Sequence, residues 1–589
     1  MSIGHIVAGI APLVFWDVSA AAQSVRQPVT SSASEDVPDA VANRVRAVAE
    51  RSDRLRAFLA EPRSVFIGVD LVRTKGDGDR EPPPLYRTRH YRYSDDVTVT
   101  SLVDLAAGRV VEQVEAAHVP VPLTPGELAE ARTLALADAR IAPGFREYGE
   151  RLVVEPLTVR TGDPEDPWFA QRVVRLLFRV GRNYLSNPVV YVNLSKRTVI
   201  VEEAHHANHG DEAMIGRVIA TAAIAALLPA AALAQSAPCP KFNPATGQPG
   251  LIEQSFPASP SPGAPAVTWR VRFAHATGKG LYITGAWIRT APAEPFKRVL
   301  WDARLADIFV PYEAGSPRFY DLTNFNFPLV NATAADAGPC GHIIDGKVIH
   351  EVTGYGLMWK DDTAVRHGQE LVLWATLDSA NYNYVMRYGF RDDGTITLRL
   401  GATSRNLPGM ERMGHMHDGL WRIDMDLNGA AGDSAYTYEH LETTAANTAS
   451  DSFTAYAGGV EGALDVVPER FTEVVVRDTS TSTPRTPISY EFRPFRNGAP
   501  RHKEGFAHHD FWVTRYRGSE LLYQFPQHVN GESIMNADLV VWHMAGARHD
   551  PRNEDGFFQG NLWNGVALIM WSGLDLRPRN LFTRTPLFP

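Results

Sequence analysis

Apolar and polar residues alternate with a period of two along most of this chain, and few stretches repeat at helical spacing. Residues 37–61 form one such stretch, rich in Arg and Glu, and they predict a single solvated amphipathic helix. Residues 123–141 predict a second helix, with Thr124 as N-cap, Pro125 at N1 and Glu127 at N3. Between and after these, runs such as SVFIGVDLVRTK, VVRLLFRVGRN and PVVYVNLSKRTVIVEEA read as half-buried strands, and Asp-Leu-Ala-Ala-Gly-Arg reads as a hairpin turn. The first two hundred residues therefore predict a small α+β unit, a helix on an antiparallel sheet, over 37–205.

From Cys239 onward the pattern is almost wholly that of strands and turns. TWRVRFAHATGKGLYITGAWIRT, RVLWDARLADIFVPY, LVLWATLDSANYNYVMRYGF and GTITLRLGA all have strand character, and Asp392-Asp393-Gly394 joins two such runs as a hairpin. Residues 237–589 are expected to form one large antiparallel β-sandwich, which makes the chain mainly β.

Two segments break the pattern. Residues 1–25 end an apolar run with Ala-Ala-Ala before Gln23, which reads as a signal segment or as a frayed terminus. Residues 214–236 begin with Met214, carry Arg217 and close an uncharged run with Ala-Leu-Ala before Gln235. That segment has the form of a secretory signal and is short for a membrane span. It reads as the scar of two joined reading frames, as an internal anchor or as a buried Ala-rich helix. Any membrane association would run through it.

Composition narrows the class without choosing a function. A length of 589 residues calls for two to four domains. The net charge of -9, with no long basic run, argues against nucleic acid as a partner. Only Cys239 and Cys340 are present, so one bridge could form if the protein is exported, and otherwise both are free thiols.

Candidate chemistry lies between Leu377 and Asn428. Asn381-Tyr382-Asn383-Tyr384 is followed about thirty residues later by His415-Met416-His417. An H-x-H pair on a strand places both imidazoles on one face and suits copper or zinc once further ligands are found. His549, after the β run DLVVWHMAGAR, is the candidate third ligand. His205, His206 and His209 read as a solvated tail, and His508, His509 and His543 as structural histidines.

These motifs, in this order over roughly residues 265–565, resemble the copper-containing amine oxidases, whose topaquinone cofactor is made from a tyrosine. Asn381-Tyr382-Asn383-Tyr384 resembles the cofactor strand, and His415-Met416-His417 with Arg422-Ile423-Asp424 resembles the family's His-x-His and Arg-Leu-Asp. Asp538-Leu539-Val540-Val541-Trp542 and His549 resemble the segment of the third ligand. Val310-Pro311-Tyr312 and Phe319-Tyr320-Asp321 resemble that of the base. The upstream α+β unit resembles the family's small N-terminal domains, which are cystatin-like. Asp378 stands where the family has Thr, and Asn383 where it has Asp or Glu. Of the family's intradomain disulfide, at most Cys340 is kept.

The resemblance implies that His415, His417 and His549 hold copper, that Tyr382 becomes topaquinone beside Asn381, that Asp321 is the base, that Tyr312 hydrogen-bonds the quinone and that Phe319 is a gating aromatic. It implies calcium at Asp424, Met425, Asp538 and Leu539, two carboxylates and two carbonyls. The implied activity is oxidative deamination of primary amines by dioxygen to aldehyde, ammonia and hydrogen peroxide, in a periplasmic or secreted homodimer. The alternative is a copper-binding protein of the same fold that lacks the quinone, either a pseudoenzyme or binding protein or an enzyme that uses unmodified Tyr382 with copper for other oxygen chemistry.

Overall fold

The computed structural model describes residues 33–583 and 586, apart from 77–80, 142–144, 146–147, 162, 204–238, 244–245, 258–265, 313–316, 325, 444–447, 481–486, 496–501 and 519–528. The signal-like segments at 1–25 and 214–236 and the histidines 205, 206 and 209 lie outside the described residues. Among the described residues, no helix is long and apolar enough to cross a membrane.

The sandwich consists of two large antiparallel sheets. One has nine strands and contains Lys297–Pro311, His415–Met425, Leu539–His549 and Phe511–Arg515 as neighbours in that order. The other has ten strands and contains Val365–Ser379, Tyr382–Arg391, Ile396–Ser404 and Ala567–Arg579 in that order. Period-two alternation accounts for the way they face each other. Along the Tyr382–Arg391 strand, Tyr382, Tyr384, Met386, Tyr388 and Phe390 are all buried, while Asn383, Val385 and Arg387 are half-buried on the other face. The buried row packs with Leu305, Trp421, Ile423 and Val541 of the facing sheet in one continuous core. The hairpin after this strand forms as expected, and Gly394 takes φ +85° in the turn, a conformation open to glycine at no steric cost.

Upstream of the sandwich lie two sheets. A four-stranded sheet spans residues 64–117 and is covered by helices. The stretch 37–61 forms two helices, Asp39–Ala49 and Asp53–Ala60, where the spacing predicts one. Ser52 explains the break, because its side chain accepts from Leu55 N and starts a new helix. The Pro125–Ala137 helix has the expected capping box of Thr124 and Glu127. The second sheet, built on residues 152–202, also takes in two late strands: Leu562–Gly565 pairs with Asn183–Leu185. Backbone pairing thus joins the early and late parts of the chain.

Cys239 and Cys340 form a disulfide that ties the start of the sandwich segment to the loop before His342. The bridge therefore uses Cys340 with a partner outside the pattern drawn from the resemblance.

Candidate metal and quinone site

The site forms between the two sheets. Its histidines come from the nine-stranded sheet and its tyrosines from the ten-stranded one. His415 and His417 project inward from alternate positions of one strand. The neighbouring strand runs antiparallel in a register that sets His549 directly opposite His415. All three imidazoles are buried, and their ligand atoms lie within 4.8 Å of one another. His415 Nε2 is 3.0 Å from His417 Nε2 and 3.3 Å from His549 Nδ1. Two nitrogens each about 2.0–2.1 Å from one ion would sit at about that separation.

Hydrogen bonds on the far sides of the rings fix which nitrogens face inward. His415 Nδ1–H donates to the Met413 carbonyl at 2.9 Å, leaving Nε2 as a lone-pair donor. His417 Nδ1 lies 3.1 Å from the Tyr384 hydroxyl, whose own proton goes to Asp321 Oδ2 at 2.6 Å, so the imidazole is the donor there. Burial pushes all three imidazoles toward the neutral form, His415 down to about 3 and His549 down to about 4, and the neighbouring imidazoles push His415 and His417 further the same way. Three neutral, converging nitrogen donors fit copper on the chemistry of the donor set.

The Tyr382 hydroxyl reaches into this cluster, 3.0 Å from His415 Nε2 and 3.1 Å from His549 Nδ1. Tyr312 stacks on the His415 ring at 4.3 Å between centroids, and Phe319 meets Tyr312 edge-on at 6.0 Å. Asp321 sits in a turn built by a second buried carboxylate. Asp307 accepts from Ile308 N at 2.7 Å and from the Thr323 hydroxyl at 2.6 Å, and the Leu322 and Thr323 amides lie 3.4 Å from its Oδ1. Burial raises the Asp321 carboxyl to about 7; the Tyr384 hydrogen bond opposes that rise, and nearby Asp307 adds to it.

Most of the residues singled out from sequence come together here: His415, His417, His549, Tyr382, Tyr312, Phe319 and Asp321. Asn381 is buried beside Tyr382. Its amide donates to the Arg405 carbonyl at 3.0 Å and pins the turn before Tyr382 to the next strand. Asp378 and Asn383, the two departures from the cofactor motif, are direct cross-strand partners. Tyr384 and Asp307 carried no assigned role. The period-two spacing of Tyr384 from Tyr382 was the available signal for the first, and nothing local marks the second.

The calcium expected at Asp424, Met425, Asp538 and Leu539 does not fit the structure. The Lys75 ammonium lies 2.7 Å from Asp424 Oδ1 and 2.5 Å from Asp538 Oδ1, so the space between the carboxylates is already filled by a cation.

Residues 407–588 match the copper amine oxidase enzyme domain, a span that includes all three histidines. Over this span the chain is similar to the copper amine oxidases. It is 24% identical over 394 residues to copper amine oxidase 1 of Aspergillus niger, covering 54% of this chain and 56% of that protein. It is 22% identical over 406 residues to the primary amine oxidase of Lens culinaris, covering 54% and 59%. The chain thus spans a little over half the length of these curated relatives. Among solved structures, a copper-containing benzylamine oxidase from Hansenula polymorpha aligns over 94% of this chain and 98% of that one, with a TM-score of 0.64 and 15% identity. That likeness extends the shared fold through the N-terminal sheets.

Proposed function

We propose that this protein oxidises primary amines to aldehydes with dioxygen, using copper held by His415, His417 and His549 and a topaquinone made from Tyr382. The observation that carries this reading is the Tyr382 hydroxyl within hydrogen-bond distance of two of three converging imidazoles. When formed, the quinone supplies a carbonyl electrophile and an electron sink, and copper supplies the oxygen chemistry that makes it. The rest is the work of this chain's own side chains. Asp321 takes the substrate's α-proton, a role suited to a buried carboxyl whose affinity for protons is raised to near neutrality. Tyr384 holds Asp321 and His417 in fixed relation through one hydroxyl. Tyr312 packs against His415 and orients the tyrosine-derived ring, and Phe319 lines the approach beside it. The two sheets exclude bulk water from all of these groups.

The Cys239–Cys340 bridge supports a periplasmic or secreted location. A homodimer, which the resemblance implies, would cover exposed apolar side chains such as Phe557, Val566 and Leu568. Aerated, copper-loaded protein treated with phenylhydrazine should give a coloured adduct, and the Tyr382 peptide should carry the added mass. An unmodified Tyr382 peptide with copper bound would instead indicate a copper protein of this fold without the quinone.

A further inference from the structure

The Asp424–Asp538 cluster lies at the opposite ends of the strands that carry the histidines. Lys75, just after the Ser64–Val72 strand of the N-terminal sheet, reaches across to it. Its ammonium contacts Asp424 and Asp538, and Asp426 Oδ1 lies 3.8 Å away. The Lys75 side chain is only 8% exposed, and the Asp424 side chain is fully buried. Aromatic rings complete the cage, with the ammonium 4.5 Å from the centre of Tyr516 and 5.8 Å from that of Trp301. The Lys75 amide donates to the Tyr516 hydroxyl at 3.3 Å, and Tyr516 N donates to the Asp538 carbonyl at 2.9 Å. Backbone and side chain of Lys75 are therefore both held at the same place.

We propose that the Lys75 ammonium is the resident cation of this cluster and closes it to divalent ions, so that removing it opens a site for a hard cation such as calcium. Arg422 lies 3.5 Å from Asp424 and Arg298 3.2 Å from Asp426 on the flanks of the cluster, but the buried carboxylates still need a cation at their centre, and an ammonium or a metal ion can supply it. Calcium needs six to eight oxygen ligands around an ion-sized space, which the ammonium denies it here. A tethered cation also costs no binding from solution, and it fastens the N-terminal sheet to both strands that carry the histidines.

The test uses the full chain and calcium itself. Chelator-treated wild-type protein is dialysed to equilibrium against calcium, and its melting temperature is measured with and without millimolar calcium. The expected result is no calcium bound at this cluster and no shift. Lys75→Ala should melt several degrees lower, bind about one further calcium per chain and regain the lost stability in calcium. Asp538→Asn in the Lys75→Ala background should abolish that binding. One calcium per wild-type chain that Asp538→Asn removes would overturn the proposal. So would a Lys75→Ala protein that binds none. Should Lys75→Ala fail to fold, Lys75→Gln and the wild-type measurement carry the test.

Discussion

Two polar clusters occupy opposite ends of the same pair of strands, and they meet the cost of burial in different ways. At one end, His415, His417 and His549 bring neutral nitrogen donors together with Tyr382. At the other, Asp424, Asp426 and Asp538 surround an ammonium that the chain brings from Lys75. Neutral imidazoles can be buried without a counter-charge and wait for a metal. Carboxylates cannot, and so this chain supplies their cation itself. A set of donors at the right spacing therefore does not by itself identify a metal site. The charge that the rest of the fold sends to it decides the matter.

The largest effect is expected at the histidines. His417→Ala should bring bound copper close to zero and leave Tyr382 unmodified in the mass spectrum, while the melting temperature of the metal-free protein changes little. The next effect belongs to the base. Asp321→Ala should retain copper and quinone but slow reduction of the quinone by amine by about 10²- to 10⁴-fold in anaerobic stopped-flow. Turnover at the wild-type rate would remove Asp321 from the base role. At the other cluster, Lys75→Ala should lower stability in denaturant titration by about 3 kcal/mol, the low end for breaking a buried ion pair, because Arg422 and Arg298 still flank Asp424 and Asp426.

Smaller effects sharpen the picture near Tyr382. Asp321 must be ionised to act as base, and its folded pKa is raised to about 7. The amine-reduction rate should therefore rise with pH through about 7 as the proton leaves, and fall below it. Replacing Tyr384 with Phe removes the donor to Asp321 and should move that midpoint upward, since the hydrogen bond favours the ionised carboxylate. A midpoint unmoved in the Tyr384 variant would contradict the bridging role.

Much of the fold was legible because strand alternation is local. The capping box at Thr124, the hairpin at Gly394 and the buried tyrosine row all follow from short-range pattern. The three histidines were legible through the motifs of the resemblance, but their convergence was not. The pairing of His415 with His549 spans 134 residues and is set by sheet register. Lys75 was invisible for the same reason: a single loop lysine becomes meaningful only when it meets Asp424, 349 residues later. The addition of Leu562–Gly565 to an N-terminal strand is likewise a tertiary event with no local signature. The cap at Ser52 splits the helical stretch in two, and the continuous Arg and Glu pattern of 37–61 masked that break. Asp378 and Asn383 looked like two separate anomalies in the sequence, and the hairpin makes them one cross-strand pair.

The most direct test of the quinone reading is the mass of the peptide containing Tyr382 after copper loading in air, with and without phenylhydrazine. Oxidation of Tyr382 that depends on copper and on His417, and that is trapped by the hydrazine, is the predicted result. An unmodified Tyr382 in protein with copper fully bound would contradict it.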